Sequence, residues 1–115
     1  MTYSSIPEIS VTELAQLMAE KETQLQLIDV REPGEVAIAS IPEFIVLPLS
    51  QFAEWEETIN TRFNSETETI VLCHYGMRSA QMCQWLINQG FSNVKNVSGG
   101  INAYSVMVDS SIPQY

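Results

Sequence analysis

Short β-branched, apolar runs alternate along this chain with longer stretches whose apolar residues recur at helical spacing. The run at 69–72 predicts a buried strand, and those at 25–30, 45–47 and 94–97 predict further strands. Ser10 followed by Glu13 is a capping box, and it opens a helix over 11–20 with Val11, Leu14, Leu17 and Met18 on one face. A second helix over 50–59 places Phe52, Trp55 and Ile59 together and gives Glu54, Glu56 and Glu57 to solvent. A third over 80–90 ends on Gly90, suited to a left-handed C-terminal cap. A closing helix over 101–108 follows the tight entry that Gly99-Gly100 permits. Residues 21–24 read as a turn and 62–68 as a polar linker. The segment 31–42 reads as irregular, with a turn at Pro33-Gly34, a short helical turn at 35–38 and a block to regular helix at Pro42. Strands alternating with helices call for an α/β fold, a mostly parallel central sheet with helices on both faces. The length of 115 residues predicts one domain over 1–115, with 1–8 and 109–115 as frayed ends.

In such sheets ligands bind beyond the carboxyl ends of strands. Two chemistry-bearing steps sit at such ends: Asp29-Val30-Arg31, and the run Cys73-His74-Tyr75-Gly76-Met77-Arg78-Ser79 between a strand and a helix. A turn that enters a helix aims amides inward and adds partial positive charge, so it stabilises an anion. The nearest anion is the thiolate of Cys73 itself. The thiolate is the nucleophilic form of cysteine, and a free thiol ionises only near pH ~8.5. Gly76 lets the backbone fold tightly, Ser79 can donate to the sulfur or cap the helix, and Arg78 closes the ring with a bidentate donor fork. Only four residues separate Cys73 from Arg78, so the ring is small and its guest should be small. His74 is the sole histidine, and adjacent side chains on a tight loop diverge. Its expected place, with Tyr75, is therefore the pocket rim rather than the sulfur proton. Met77 reads as a pocket wall or a core contact. Asp29 and Arg31 read as scaffold behind the loop, with Arg31 pairing an acid or orienting substrate.

The loop is similar to the active-site loop of the rhodanese-like, or single-domain sulfurtransferase, family. Leu27-Ile28-Asp29-Val30-Arg31-Glu32-Pro33 resembles that family's early strand and turn. Gly90-Phe91-Ser92-Asn93-Val94 and Val97-Ser98-Gly99-Gly100-Ile101-Asn102-Ala103-Tyr104 resemble its closing strand and Gly-Gly segment. The matches run in order over most of the chain. Two positions depart from the pattern. Ala39-Ser40 stands where the family usually has a histidine and a glycine before its Ile-Pro step, and Tyr104, read as a packing residue, stands in place of tryptophan. The resemblance implies sulfur transfer from a donor such as thiosulfate to cyanide or a thiol, through a persulfide on Cys73. It implies no cofactor. Related phosphatases and arsenate reductases carry one more residue between cysteine and arginine, a ring better suited to a tetrahedral oxyanion. A non-enzymatic sulfur-carrying or binding module is the other reading.

Charge narrows the partners. With 14 Asp and Glu against five Lys and Arg, the net charge is −9, which disfavours nucleic acid and anionic membranes. The expected partners are a small sulfur donor and acceptor or a sulfur-carrying protein, and the expected state is a monomer. No signal-peptide pattern and no bilayer-length apolar run is seen, which points to the cytoplasm. No histidine or cysteine pair has metal-ligand spacing, so no metal is expected. Of the two cysteines, Cys83 lies inside a helix and reads as a small buried apolar residue, with a resolving thiol for Cys73 as the alternative.

Overall fold

The apolar runs pair into one parallel sheet, and the computed structural model describes residues 6–20 and 24–115 of the chain. The strands are β1 (Glu8–Ile9), β2 (Gln26–Asp29), β3 (Ile45–Val46), β4 (Thr69–Leu72) and β5 (Val94–Val97). Their spatial order is β1-β5-β4-β2-β3, every neighbouring pair parallel. The central strand β4 is buried along its whole length, as a strand covered on both faces must be.

Side chains alternate across β4 and so define two cores. Ile70 and Leu72 join Val11, Leu14, Leu27, Val97, Ile101 and Tyr104 on one face. Val71 and Cys73 join Ile28, Trp55, Ile59, Met82, Cys83 and Leu86 on the other. Helices α1 (Val11–Ala19) and α6 (Gly100–Met107) cover the first face. The second lies under α3 (Phe52–Trp55), α4 (Ile59–Arg62) and α5 (Met77–Asn88), while the short α2 (Pro33–Ile38) follows β2. Tyr104 is buried, in the packing role expected of it. The Ser10–Glu13 capping box is formed in both directions at 3.1 Å. Gly90 follows α5 at φ +101°. Among the described residues no helix is long and apolar enough to cross a membrane.

The helix expected over 50–59 is broken. It becomes single turns of 3-10 and α-helix from Leu49 to Arg62. The hydroxyl of Thr58 takes the carbonyl of Trp55, that of Thr61 takes the carbonyl of Thr58, and the Trp55 indole donates to Pro48 O at 2.9 Å. Side-chain donors of this kind compete with the helical ladder. Edge-to-face stacking of Phe52, Trp55 and Trp85 holds the segment to α5 instead.

Both ends, which the sequence reads as frayed, make contacts where they are described. Residues 1–5 lie outside the described residues, as do 21–23 of the expected turn. Glu8–Ile9 form an edge strand on β5, and Asn96 N–H donates to Pro7 O at 2.9 Å. At the other end, Ile112 is buried against the first core and its carbonyl accepts from the Ser105 hydroxyl. The Tyr115 hydroxyl accepts from Arg31 Nη1 at 3.0 Å and donates to Glu35 Oε2 at 2.8 Å. An apolar anchor and a polar tip together hold a segment that has no regular structure of its own.

Two features fix the sheet end where β2 and β4 finish. Arg31 is fully buried, and its guanidinium forks onto Asp29 at 2.7–3.2 Å. The same side chain donates to Ala39 O at 2.8 Å, so it ties β2 to the end of α2. The second feature is the approach of α6 to the loop after β4: Ile101 N–H donates to Cys73 O at 2.9 Å and Asn102 N–H to His74 O at 3.1 Å. Gly100 makes this approach possible. A Cβ there would stand 2.3 Å from His74 O, at a φ of +61°.

Both features carry stability predictions. Arg31→Ala leaves Asp29 buried without its partner and should cost about 3–5 kcal/mol, read as a lower urea midpoint at unchanged m-value; a loss under about 1 kcal/mol would contradict the reading of the pair. Gly100→Ala should cost more than about 1 kcal/mol, because strain and overlap add at one position. Wild-type stability of that variant would mean that α6 does not press on the loop.

Candidate active site

Cys73 directly follows β4 with its side chain in the second core, 1% exposed. Two donors reach its sulfur: the Gly76 N–H at 3.0 Å and the Ser79 hydroxyl at 3.2 Å. Gly76 sits at φ +107° as the N-cap of α5, and this left-handed turn aims its amide back at the sulfur. Ser79 is buried in the first turn of α5. The positive end of that helix, whose first amides have no partner within the helix, faces the same turn.

Ser79 also bonds Asn96 Oδ1, and Asn96 Nδ2 donates to Gly76 O at 2.9 Å and to Glu8 Oε2 at 3.3 Å. A hydroxyl has one proton. When Cys73 is a thiol, S–H donates to Ser79 Oγ and Oγ–H to Asn96. When Cys73 is a thiolate, the hydroxyl proton turns to the sulfur. Asn96, buried on β5, thus holds the Gly76 turn through its carbonyl, and holds the Ser79 hydroxyl only while that proton is not given to the sulfur.

Arg78, expected to close the ring at the sulfur, has a carboxylate partner at the loop mouth. Its fork closes on Glu35 instead, Nη1 to Oε1 at 2.7 Å and Nη2 to Oε2 at 3.0 Å. The cause is local: α2 brings a carboxylate to the loop mouth, and a bidentate charge pair is stronger than one contact with sulfur. The Arg78 guanidinium holds the Glu35 carboxyl down at about 2 against the partial burial that opposes it. Glu35 in turn raises Arg78. A carboxyl depressed in this way stabilises the fold fully above its ordinary pKa of 4.5, and the contribution fades as pH falls toward about 2.

The aromatic residues form a stack. The His74 ring lies between Tyr75, 3.9 Å away, and Tyr115, 3.8 Å away and nearly parallel at 9°. His74 Nε2 is buried with no hydrogen-bond partner among the described residues, and no hydrogen bond joins the ring to the sulfur. Tyr75 is 58% exposed and Met77 79% exposed, so both stand at the rim and Met77 is no core contact. Cys83 is fully buried, and burial pushes its thiol up to about 12. It is a core residue, in the same cluster as Cys73.

Asp29 and Arg31 therefore stand behind the loop, while Cys73, Gly76 and Ser79 meet at the sulfur. Sequence reasoning missed Asn96, Glu35 and Tyr115. An asparagine in the middle of the strand Val94-Lys95-Asn96-Val97 was the available signal for the first. The other two carried none, because their roles arise from α2 and the chain end meeting at the loop mouth.

Comparison with known proteins agrees with this geometry. The family model for the rhodanese-like domain matches residues 10–106. A protein of Arabidopsis thaliana named "Rhodanese-like/PpiC domain-containing protein 12, chloroplastic" is 49% identical over 112 residues, covering 96% of this chain. This chain spans only 38% of that relative's length. The chloroplastic name gives no support to the cytoplasmic location expected from the sequence. A protein of Allochromatium vinosum named "Sulfurtransferase" is 33% identical over 103 residues, covering 87% of this chain and 89% of the relative. The crystal structure of a rhodanese-like domain protein from Staphylococcus aureus superposes with a TM-score of 0.77 at 26% identity, covering 96% of this chain and 99% of the other. With the matched model spanning strand, loop and closing helix alike, this chain belongs to the rhodanese-like domain family.

Proposed function

We propose that this chain is a sulfurtransferase that carries a single sulfur on Cys73 as a persulfide. The observation that supports this reading is the pair of donors on one buried cysteine sulfur, an amide from Gly76 and a hydroxyl from Ser79. Hydrogen bonds to a charged acceptor contribute about 1.5–3 kcal/mol each. Both converge on the atom that would carry the added sulfur. The engagement of Arg78 by Glu35 argues against phosphoryl chemistry, which needs a free guanidinium at the transferred group.

The reaction has two halves. In the first, the Cys73 thiolate attacks the outer sulfur of a donor such as thiosulfate. The donor's sulfur–sulfur bond breaks, and its electron pair leaves with sulfite or a thiolate. In the second, cyanide or an acceptor thiol, free or carried on a protein, attacks the outer sulfur of the persulfide and expels the Cys73 thiolate. The Gly76 amide and the Ser79 hydroxyl hold the sulfur anion that each half-reaction forms on the protein. His74, Tyr75 and Met77 form the rim that the donor passes. No cofactor enters either half.

Intact-mass spectrometry after incubation with a donor should show one added sulfur, removed by cyanide with release of thiocyanate. Cys73→Ala should abolish both, lowering transfer by roughly a thousandfold or more. Full transfer by that variant would overturn the mechanism. Stoichiometric loading of the wild type without repeated turnover would instead identify a sulfur carrier.

A further inference from the structure

The cations near the sulfur are already spoken for. Arg31 is buried on Asp29. Arg78, a third exposed, is forked on Glu35. Glu35 itself is held at both oxygens: Oε1 also accepts from Glu32 N–H at 3.0 Å, and Oε2 from the Tyr115 hydroxyl at 2.8 Å. Tyr115 is fixed in turn by Arg31 and by its stack on His74. The carboxylate is therefore braced on Arg78 from several sides. An incoming dianion meets a neutralised guanidinium on a protein of net charge −9.

We propose that Glu35 is a specificity-determining residue, which by occupying Arg78 turns Cys73 away from dianionic donors such as thiosulfate and toward sulfur carried on a neutral thiol, a persulfide R–S–SH. The inference rests on the sulfurtransferase reading above. In the favoured reaction the Cys73 thiolate attacks the outer sulfur of R–S–SH, which keeps its proton. The new bond is Cys73 S–SH, and the old sulfur–sulfur bond breaks with its electron pair leaving on R–S⁻. Charge is one negative on each side, and no oxidant or reductant is consumed. With thiosulfate the same attack brings three negative charges to the loop mouth and leaves sulfite there. Arg78 is the cation that this charge needs and Glu35 withholds.

The test compares wild type, Glu35→Gln and Tyr115→Phe, with cyanide as acceptor and either thiosulfate or 2-hydroxyethyl persulfide as donor. Glutamine keeps the size of the side chain and an oxygen for the Glu32 amide, and removes the charge. The ratio of kcat/KM for thiosulfate to kcat/KM for the persulfide should rise at least tenfold in Glu35→Gln, mainly through a lower KM for thiosulfate. In Tyr115→Phe, which only loosens the brace, it should rise about threefold. Should Glu35→Gln lose its circular dichroism signature of folding, the Tyr115→Phe ratio decides alone. Loading of Cys73 by both donors with ratios within twofold of wild type overturns the role of Glu35 and leaves sulfur transfer standing. No loading from either donor in any of the proteins overturns the sulfurtransferase reading, and this inference with it.

Discussion

Two main-chain hydrogen bonds from the start of α6, to the carbonyls of Cys73 and His74, set the path of the loop that follows β4. They form only because Gly100 lets one backbone press against another. With those carbonyls held, the next turn must pass through Gly76 in its left-handed conformation, and its amide then points at the sulfur. Asn96 completes the arrangement from the neighbouring strand by holding the Gly76 carbonyl, and the Ser79 hydroxyl while its proton is not given to the sulfur. The environment of the Cys73 sulfur is thus a property of backbone packing between a strand, a loop and two helices.

Charge is organised separately, one layer out. Asp29 and Arg31 form a buried pair that joins β2 to α2, and α2 presents Glu35 to Arg78. Tyr115 bridges the two pairs through its hydroxyl and reaches the loop through its stack on His74. The sulfur therefore receives its stabilisation from neutral donors and a helix terminus, while the formal charges at the mouth cancel. In the proposed sulfurtransferase, this division would separate holding the cysteine sulfur from attracting the donor. The two can then be tuned by different residues.

Much of this was legible in the sequence because it depends on local pattern. The β-branched runs at 69–72 and 94–97 became strands at those bounds, and the 3.6-residue spacing and capping box placed α1. The contacts of Gly76 and Ser79 with the Cys73 sulfur were legible because they act within a few residues of chain. The contact of Arg78 was not, since its partner is 43 positions away on α2. Neither was the order of the 109–115 segment, which depends on Ile112 and Tyr115 meeting surfaces that exist only after the sheet forms. The broken helix over 50–59 has the same origin: threonine hydroxyls and an indole anchor override a periodicity that on its own reads as continuous helix.

The central claim is that Gly76 and Ser79, rather than Arg78, hold the sulfur anion. Its most direct test is the second-order rate of alkylation of Cys73 by neutral iodoacetamide at pH 7. Ser79→Ala should slow it roughly tenfold, the loss of one hydrogen bond to a charged acceptor. Removing the Arg78 and Glu35 charges together, by Arg78→Gln with Glu35→Gln, should change it less than about threefold, because the pair is already neutral toward the sulfur. The opposite ranking, with the serine dispensable and the ion pair decisive, would contradict the account.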